Sequence, residues 1–169
     1  TKNIINKSNF NHTSNDDWNM YFPCTYNNIG KEINNISLKS KNQRLFIIDN
    51  ADQLSSKNNI WKNLVSKFGR NKACLLMPKT YILHDKKDEE LLAKEYSPKN
   101  LYILKKNIQR QEGLKITNDL NDMLNAKKNG YVIAQELLQN PYTIENRKTN
   151  MRLYLLIVCN KGELGAYVH

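Results

Sequence analysis

Cysteine is scarce. Cys24, Cys74 and Cys159 are the only three in 169 residues, and they are widely spaced. Without a CxxC or a Cys/His cluster, the chain shows neither a zinc pattern nor a disulfide framework. That usage fits a reducing compartment. No apolar run reaches the roughly 20 residues of a membrane-spanning helix, and no signal peptide is visible. No segment repeats. The phosphate-loop pattern GxxxxGK[ST] is missing. So is the K/R-G-F-G-F kind of aromatic–basic signature, which argues against RNA binding. Acidic residues are outnumbered, Asp plus Glu at 16 against Lys plus Arg at 26, for a formal charge of +10. That excess favours polyanionic or acidic partners without choosing among them. The lysine and asparagine load, as in KNIINKSNFNHTSN, reads partly as coding bias and weakens the signal.

Hydrophobic residues are 40% of the chain, enough for a packed core. Residues 1–17 read as a polar loop or tail. Trp18, Met20 and Phe22 alternate before Pro23, as in a short strand. RLFIID, Arg44 to Asp49, has the pattern of a buried strand. In NIWKNLVSKFG, Ile60, Leu64, Val65 and Phe68 fall at helical intervals, and Gly69 suits the end. The run CLLMPKTYIL is broken by Pro78 and continues extended. KKDEELLAKEY reads as a helix with Leu91 and Leu92 inward, and its DKKDEE start as a solvated helix end rather than a metal site. NLYILKK is a strand. NDLNDMLNAKKNG is a helix with Leu120, Met123 and Leu124 on one face, ending at Gly130. YVIAQELL is another strand, and LGAYV returns after the turn NKGE. Trp18 and Trp61 read as packing residues. The mixture of elements predicts an α+β or α/β fold.

Three short stretches carry candidate chemistry. YILKKNIQRQEGLKIT brings a strand to Lys105 and Lys106, turns polar around Gly113, and resumes on Leu114 and Ile116. It reads as a solvated basic hairpin or as a phosphate site with a lysine on one side and loop N–H groups on the other. AQELLQNP places Gln135 and Glu136 at a strand end. There they serve as a polar terminus or as a hinge whose backbone meets a base edge. KTNMRLY, read as a strand, sets Lys148, Asn150 and Arg152 on one side. Two cations around an amide suit phosphate or carboxylate recognition, and equally a solvated strand edge. Spacing alone leaves each alternative open.

In order, these stretches resemble the tubulin–tyrosine ligase-like family of ATP-grasp enzymes. The family shows an I-V-K-P strand, a G-x-G loop, V-Q-x-Y-I, P-L, and K-F-D-L-R-x-Y-V-L-V. Here the segments are YILKKNIQRQEGLKI, VIAQELLQNPYTI and RKTNMRLYLLIVC, and LMPKTYIL is similar to an upstream F-P-x-T-W/Y-x-L strand. The likeness runs from about Trp61 to His169.

The resemblance implies an α+β, ATP-grasp-like fold with mixed or antiparallel sheets and flanking helices. Residues 1–60 would form an N-terminal lobe segment, 61–138 a central lobe, and 139–169 the first strands of an incomplete C-terminal lobe. It implies ATP and Mg²⁺, with the metal ligands expected beyond residue 169 and none assigned within it. Lys105 would touch the α- and β-phosphates. Gln111, Glu112 and Gly113 would form a flap over them. Gln135, Glu136, Leu137 and Leu138 would form the adenine hinge. Lys148 would lie near ribose and phosphates, and Asn150 stands where the family has aspartate. Arg152, the catalytic candidate, would face the γ-phosphate or the acceptor carboxylate.

The implied reaction joins glutamate, tyrosine or glycine to a protein carboxylate through an acyl-phosphate, the acceptor being an acidic tail such as tubulin's. The chain departs from the family at Lys106, where the family has proline, at Gln111 for the first loop glycine, and at Asn150. We expect a partial, inactive chain from a cytoplasmic, cytoskeleton-associated ligase, with no membrane and no nucleic-acid partner. The alternative expectation is an inactive basic module that docks on an acidic protein or nucleic acid.

Overall fold

Strand pairing around Tyr102 sets the architecture. The computed structural model describes residues 7–23, 29–108 and 113–169. The chain divides into two compact units, Thr1–Gly69 and Arg70–His169.

In the first unit, strand β1 (Met20–Tyr21) pairs in parallel with β2 (Arg44–Leu45). Among the described residues it holds the helices α1 (Ile29–Asn34), α2 (Asp52–Ser55) and α3 (Lys57–Phe68). The strand expected over Arg44 to Asp49 stops after Leu45. The pairing with β1 gives out there, and Phe46 stays 58% exposed against the ring of Phe22. Helix α3 forms as its spacing predicts, with Trp61 as its buried residue. It ends at Gly69, whose φ of +76° favours a residue without a Cβ and whose N–H donates to the Val65 carbonyl. Trp18 packs on the Tyr21 ring, with centroids 5.6 Å apart.

The second unit opens with helix α4 (Arg70–Leu76), then strand β3 (Thr80–Ile82), helix α5 (Lys86–Glu95), strands β4 (Tyr102–Lys106) and β5 (Leu114–Thr117), and helix α6 (Leu120–Asn125). A 3-10 turn over Ala126–Asn129 ends on left-handed Gly130 and leads into β6 (Tyr131–Glu136). The four strands make one antiparallel sheet in the order β3–β6–β4–β5. This is an α+β arrangement. Among the described residues, no helix is long and apolar enough to cross a membrane.

Strand period two divides the sheet's residues between two faces. Tyr81, Leu83, Tyr102, Leu104 and Ala134 join Leu92 of α5, Met123 of α6 and Ala126 in the core, as the helical spacing predicts for Leu92 and Met123. Full burial of a Leu or Met side chain contributes roughly 1.5–3 kcal/mol. The opposite face carries Thr80, Ile82, Ile103, Lys105, Ile133 and Gln135, in register across β3, β6 and β4.

The acidic start of α5 is not merely solvated. Asp85 caps the helix by accepting from Lys87 N–H. Asp88 accepts from the Ile82 N–H at 2.8 Å and pairs with Arg70 at 2.8 Å. Glu89 pairs with Lys127. A run of acids thus fastens β3, α4 and the 3-10 turn to α5.

Two hairpins follow: β7 (Thr143–Ile144) with β8 (Arg147–Lys148), and β9 (Leu155–Asn160) with β10 (Glu163–Val168). The last was expected from the NKGE turn. The strand expected from Lys148 through Cys159 forms only in its second half, as β9; over residues 149–154 no regular strand forms. Positive φ at Glu145 and Asn146 closes β7–β8 as a tight turn, and regular pairing ends at Lys148. After Thr149 N–H donates to the Tyr142 carbonyl at 3.1 Å, the backbone is irregular until Tyr154 exchanges hydrogen bonds with His169.

Candidate functional site

β4 and β6 lie side by side, with Ile103 opposite Gln135 and Lys105 opposite Ile133. Lys105 and Gln135 are therefore diagonal neighbours on one face. The Lys105 Nζ donates to Gln135 Oε1 at 2.6 Å. Gln135 is 5% exposed and its amide is used at both ends. Its Nε2 donates to Thr80 Oγ1 at 2.7 Å and more weakly to the Pro78 carbonyl at 3.4 Å. The Thr80 hydroxyl in turn donates to that Pro78 carbonyl at 2.7 Å. A cation, an amide and a buried hydroxyl thus form one chain across three strands.

One step along β4 the register slips. Lys105 faces Ile133, but Lys106 faces Tyr131, leaving Val132 as an extra residue on β6. The Lys106 ammonium sits 5.1 Å from the Tyr131 ring centroid. Its stem lies against Gly113, where the chain returns at φ +66° and Gly113 O accepts from Lys106 N. A Cβ at Gly113 would come within 2.9 Å of Lys106 Cδ. Gln111 and Glu112, the rest of the expected flap, lie outside the described residues.

At the end of β6, Glu136 N–H donates to the Lys79 carbonyl and Leu137 N–H to the Leu101 carbonyl, both at 2.8 Å. Glu136 Oε1 accepts from Asn100 Nδ2 at 3.1 Å. The hinge candidates Gln135 to Leu138 therefore enter the strand end already tied on both sides. Leu138, the next residue, is 66% exposed.

The structure brings Lys105 and Gln135 together on one face of the four-stranded sheet, while Gly113 lies against Lys106 at the Tyr131 end of β4, away from Gln135. Lys148 ends the separate β7–β8 hairpin, and Asn150 and Arg152 lie in the irregular segment after it; all three are exposed. Thr80 and Asn100 were not singled out in the sequence. A threonine inside the otherwise apolar TYIL run was the available signal for the first, and nothing local marked the second.

Ionisable groups beside the site follow their neighbours. Burial and the hydrogen bond to Glu95 push the Tyr81 phenol well above its usual range. Partial burial alone would raise Glu95, but hydrogen bonds from Tyr81 and Lys79 outweigh it and hold its carboxyl below the usual range. Among the described residues, no group of three or more His, Cys, Asp or Glu side chains could hold a metal ion.

An antiparallel sheet flanked by helices, with a lysine seated on a strand-end glutamine, is the frame in which the family motifs lie. Residues 35–169 match the tubulin-tyrosine ligase family. The chain belongs to that family, a family of tubulin-tyrosine-ligase-like ligases. No curated protein matches it.

Proposed function

We propose that the protein is an ATP-dependent ligase of ATP-grasp type that joins an amino acid to a protein carboxylate through an acyl-phosphate. The observation that carries the reading is the Lys105–Gln135 bond at 2.6 Å, between the residues that stand where the resemblance puts the I-V-K-P lysine and the V-Q-x-Y-I glutamine. In this reading Lys105 binds the α- and β-phosphates, where a fixed cation stabilises charge as it develops on the phosphoryl group. Gly113 shapes the return of the loop over them, with Gln111 and Glu112. Gln135 to Leu138 receive the base. Lys148 and Asn150 approach the nucleotide, and Arg152 the γ-phosphate or the acceptor carboxylate. ATP is the nucleotide and Mg²⁺ its counter-ion in solution.

The acceptor is an acidic protein tail, tubulin's being the first to test, and the amino acid is glutamate, tyrosine or glycine. A charge of +10 suits such an acceptor. The location that goes with this reading is the cytoplasm, on the cytoskeleton where tubulin is the acceptor.

One observation favours a second reading, an inactive basic module that docks on an acidic partner. Lys148, Asn150 and Arg152 are exposed and lie outside the four-stranded sheet. Calorimetry with ATP and Mg²⁺, alongside ATP-dependent incorporation of labelled glutamate, tyrosine or glycine into tubulin, separates the two. Saturable ATP binding with incorporation supports the ligase. Binding to an acidic tail peptide with no ATP binding supports the docking module and removes the ligase reading.

A further inference from the structure

We propose that Thr80 is a positioning residue that fixes Lys105 for an anionic ligand by setting the orientation of the Gln135 amide. Thr80 is fully buried in β3, in register with Gln135. Its hydroxyl has one proton, and a carbonyl oxygen can only accept. The proton is therefore committed to Pro78 O, 2.7 Å away, and Thr80 Oγ1 faces Gln135 as an acceptor. Gln135 must turn its NH₂ toward Thr80. Its carbonyl then points at Lys105 Nζ, 2.6 Å away. The flipped amide would set its NH₂ against an ammonium, which only donates, and its oxygen could take the Thr80 proton only by stripping it from the Pro78 carbonyl. One orientation satisfies every group, and Thr80 holds it from the side away from Lys105.

The consequence concerns binding. A lysine loses considerable side-chain freedom when it is ordered. An ammonium already seated on Gln135 has lost part of that freedom before an anion arrives, so less affinity is spent on ordering it. Thr80 touches no ligand in this scheme and acts through Gln135. The inference rests on the nucleotide reading for the identity of the anion, but not for the Thr80–Gln135–Lys105 relay.

The test compares wild type, Thr80→Val and Thr80→Ser. Valine keeps the shape and removes the hydroxyl; serine keeps the hydroxyl. Each protein is treated briefly with an amine-acetylating ester, and acetylation is measured by mass spectrometry at Lys105 and at exposed Lys94 as reference. Loss of one hydrogen bond's worth of restraint predicts a rise of about fivefold in Lys105 labelling relative to Lys94 in the valine variant. The serine variant is expected to stay within about twofold of wild type, since its hydroxyl makes the same bonds. An unchanged Lys105 ratio in Thr80→Val overturns the proposal. So does a rise shared equally by Lys94, which marks general loosening. If the valine variant fails to fold, Thr80→Cys, whose thiol is a weak acceptor, carries the same expectation.

ATP calorimetry on the same proteins gives the second arm. Wild type and Thr80→Ser are expected to bind alike, and Thr80→Val about fivefold more weakly. Equal binding by the valine variant overturns the positioning role while the nucleotide reading stands. No ATP binding by wild type removes the nucleotide reading, and the labelling ratio still decides the relay.

Discussion

The ammonium of Lys105 and the side-chain carbonyl of Gln135 meet at 2.6 Å across adjacent antiparallel strands, 30 residues apart in sequence. The pairing register makes them diagonal neighbours, so the contact follows from backbone geometry and not from a chance surface encounter. Gln135 is buried and bonded on its other side to Thr80, so the far end of the contact is rigid.

Lys105→Ala is expected to lower ligase activity by at least ~100-fold, the scale of removing one charge-stabilising donor, roughly 2.7–4 kcal/mol. Half-buried Lys105 also covers the Gln135 carbonyl, so a loss of about 1 kcal/mol in stability is expected beside it. The measurements are labelled amino-acid incorporation into tubulin and a melting curve. Unchanged incorporation would make Lys105 a structural lysine and the loop after it an ordinary basic hairpin.

Gly113→Ala is expected to destabilise the second unit by roughly 1–2 kcal/mol, the cost of a left-handed conformation for a residue with a Cβ. The new methyl also meets the Lys106 stem, at 2.9 Å from Cδ and 3.0 Å from Cγ. Lys106 is stacked on Tyr131, so moving it away disturbs a second contact. Urea unfolding measures this, and an alanine variant as stable as wild type would show that the loop re-forms in another path.

How much of this was written in the sequence depends on the range of the interaction. Helix α5 and helix α6 followed from periodicity because their apolar residues meet one core, with Leu92 and Met123 fully buried. β4 and β6 were legible as strands, but their adjacency was not, because pairing partners are chosen over long stretches of chain. Lys105 and Gln135 came forward as candidates through the family motifs, and their mutual contact did not. The first half of the strand read from Lys148 through Cys159 does not form for the same physical reason, while its second half pairs as β9: alternation describes which face a side chain takes, and a strand still needs a neighbour to pair with. In the DKKDEE run Asp85, Lys86, Lys87 and Glu90 are exposed as in a solvated helix start, while Asp88 and Glu89 find partners on β3, α4 and the 3-10 turn, none of which a local pattern contains.

Asp88→Ala is expected to cost about 2–3 kcal/mol, because it strips an acceptor from the Ile82 N–H and a counter-charge from Arg70 at once. Both side chains of the ion pair are mostly buried, at 20% and 16% exposure, so water compensates poorly. Asp88→Asn keeps an acceptor for Ile82 N–H but turns an NH₂ toward the Arg70 guanidinium and loses the charge, so an intermediate cost of about 1–2 kcal/mol is expected. Urea midpoints for the three proteins give the order wild type, asparagine, alanine. Asparagine as damaging as alanine would assign the whole effect to the Arg70 pair.

Glu95 makes the stability pH-dependent on the acid side and Tyr81 on the alkaline side. Tyr81 Oη donates to Glu95 Oε2 at 2.8 Å, and Lys79 lies 3.1 Å from the same oxygen. These partners hold the folded carboxyl below its unfolded value. The stabilisation from ionised Glu95 is therefore complete above the ordinary glutamate pKa, near 4.3, and fades as pH falls through the lower folded value. Glu95→Gln still accepts from Tyr81 but gives up the charge. Its deficit is expected to be about 1 kcal/mol at pH 7, and to close on acidification below roughly pH 4. Tyr81 runs the other way. Burial first, then Glu95, raises its folded pKa, so its contribution is complete below the ordinary tyrosine value near 10 and is lost as pH rises beyond it. Tyr81→Phe is expected to flatten that alkaline decline while lowering stability at pH 7 by roughly 1 kcal/mol through the lost hydrogen bond. Urea unfolding of the three proteins from pH 3 to 11 measures both arms. A Glu95→Gln deficit that persists unchanged at pH 3 would show that the charge at residue 95 contributes nothing, and that any loss comes from packing of the amide.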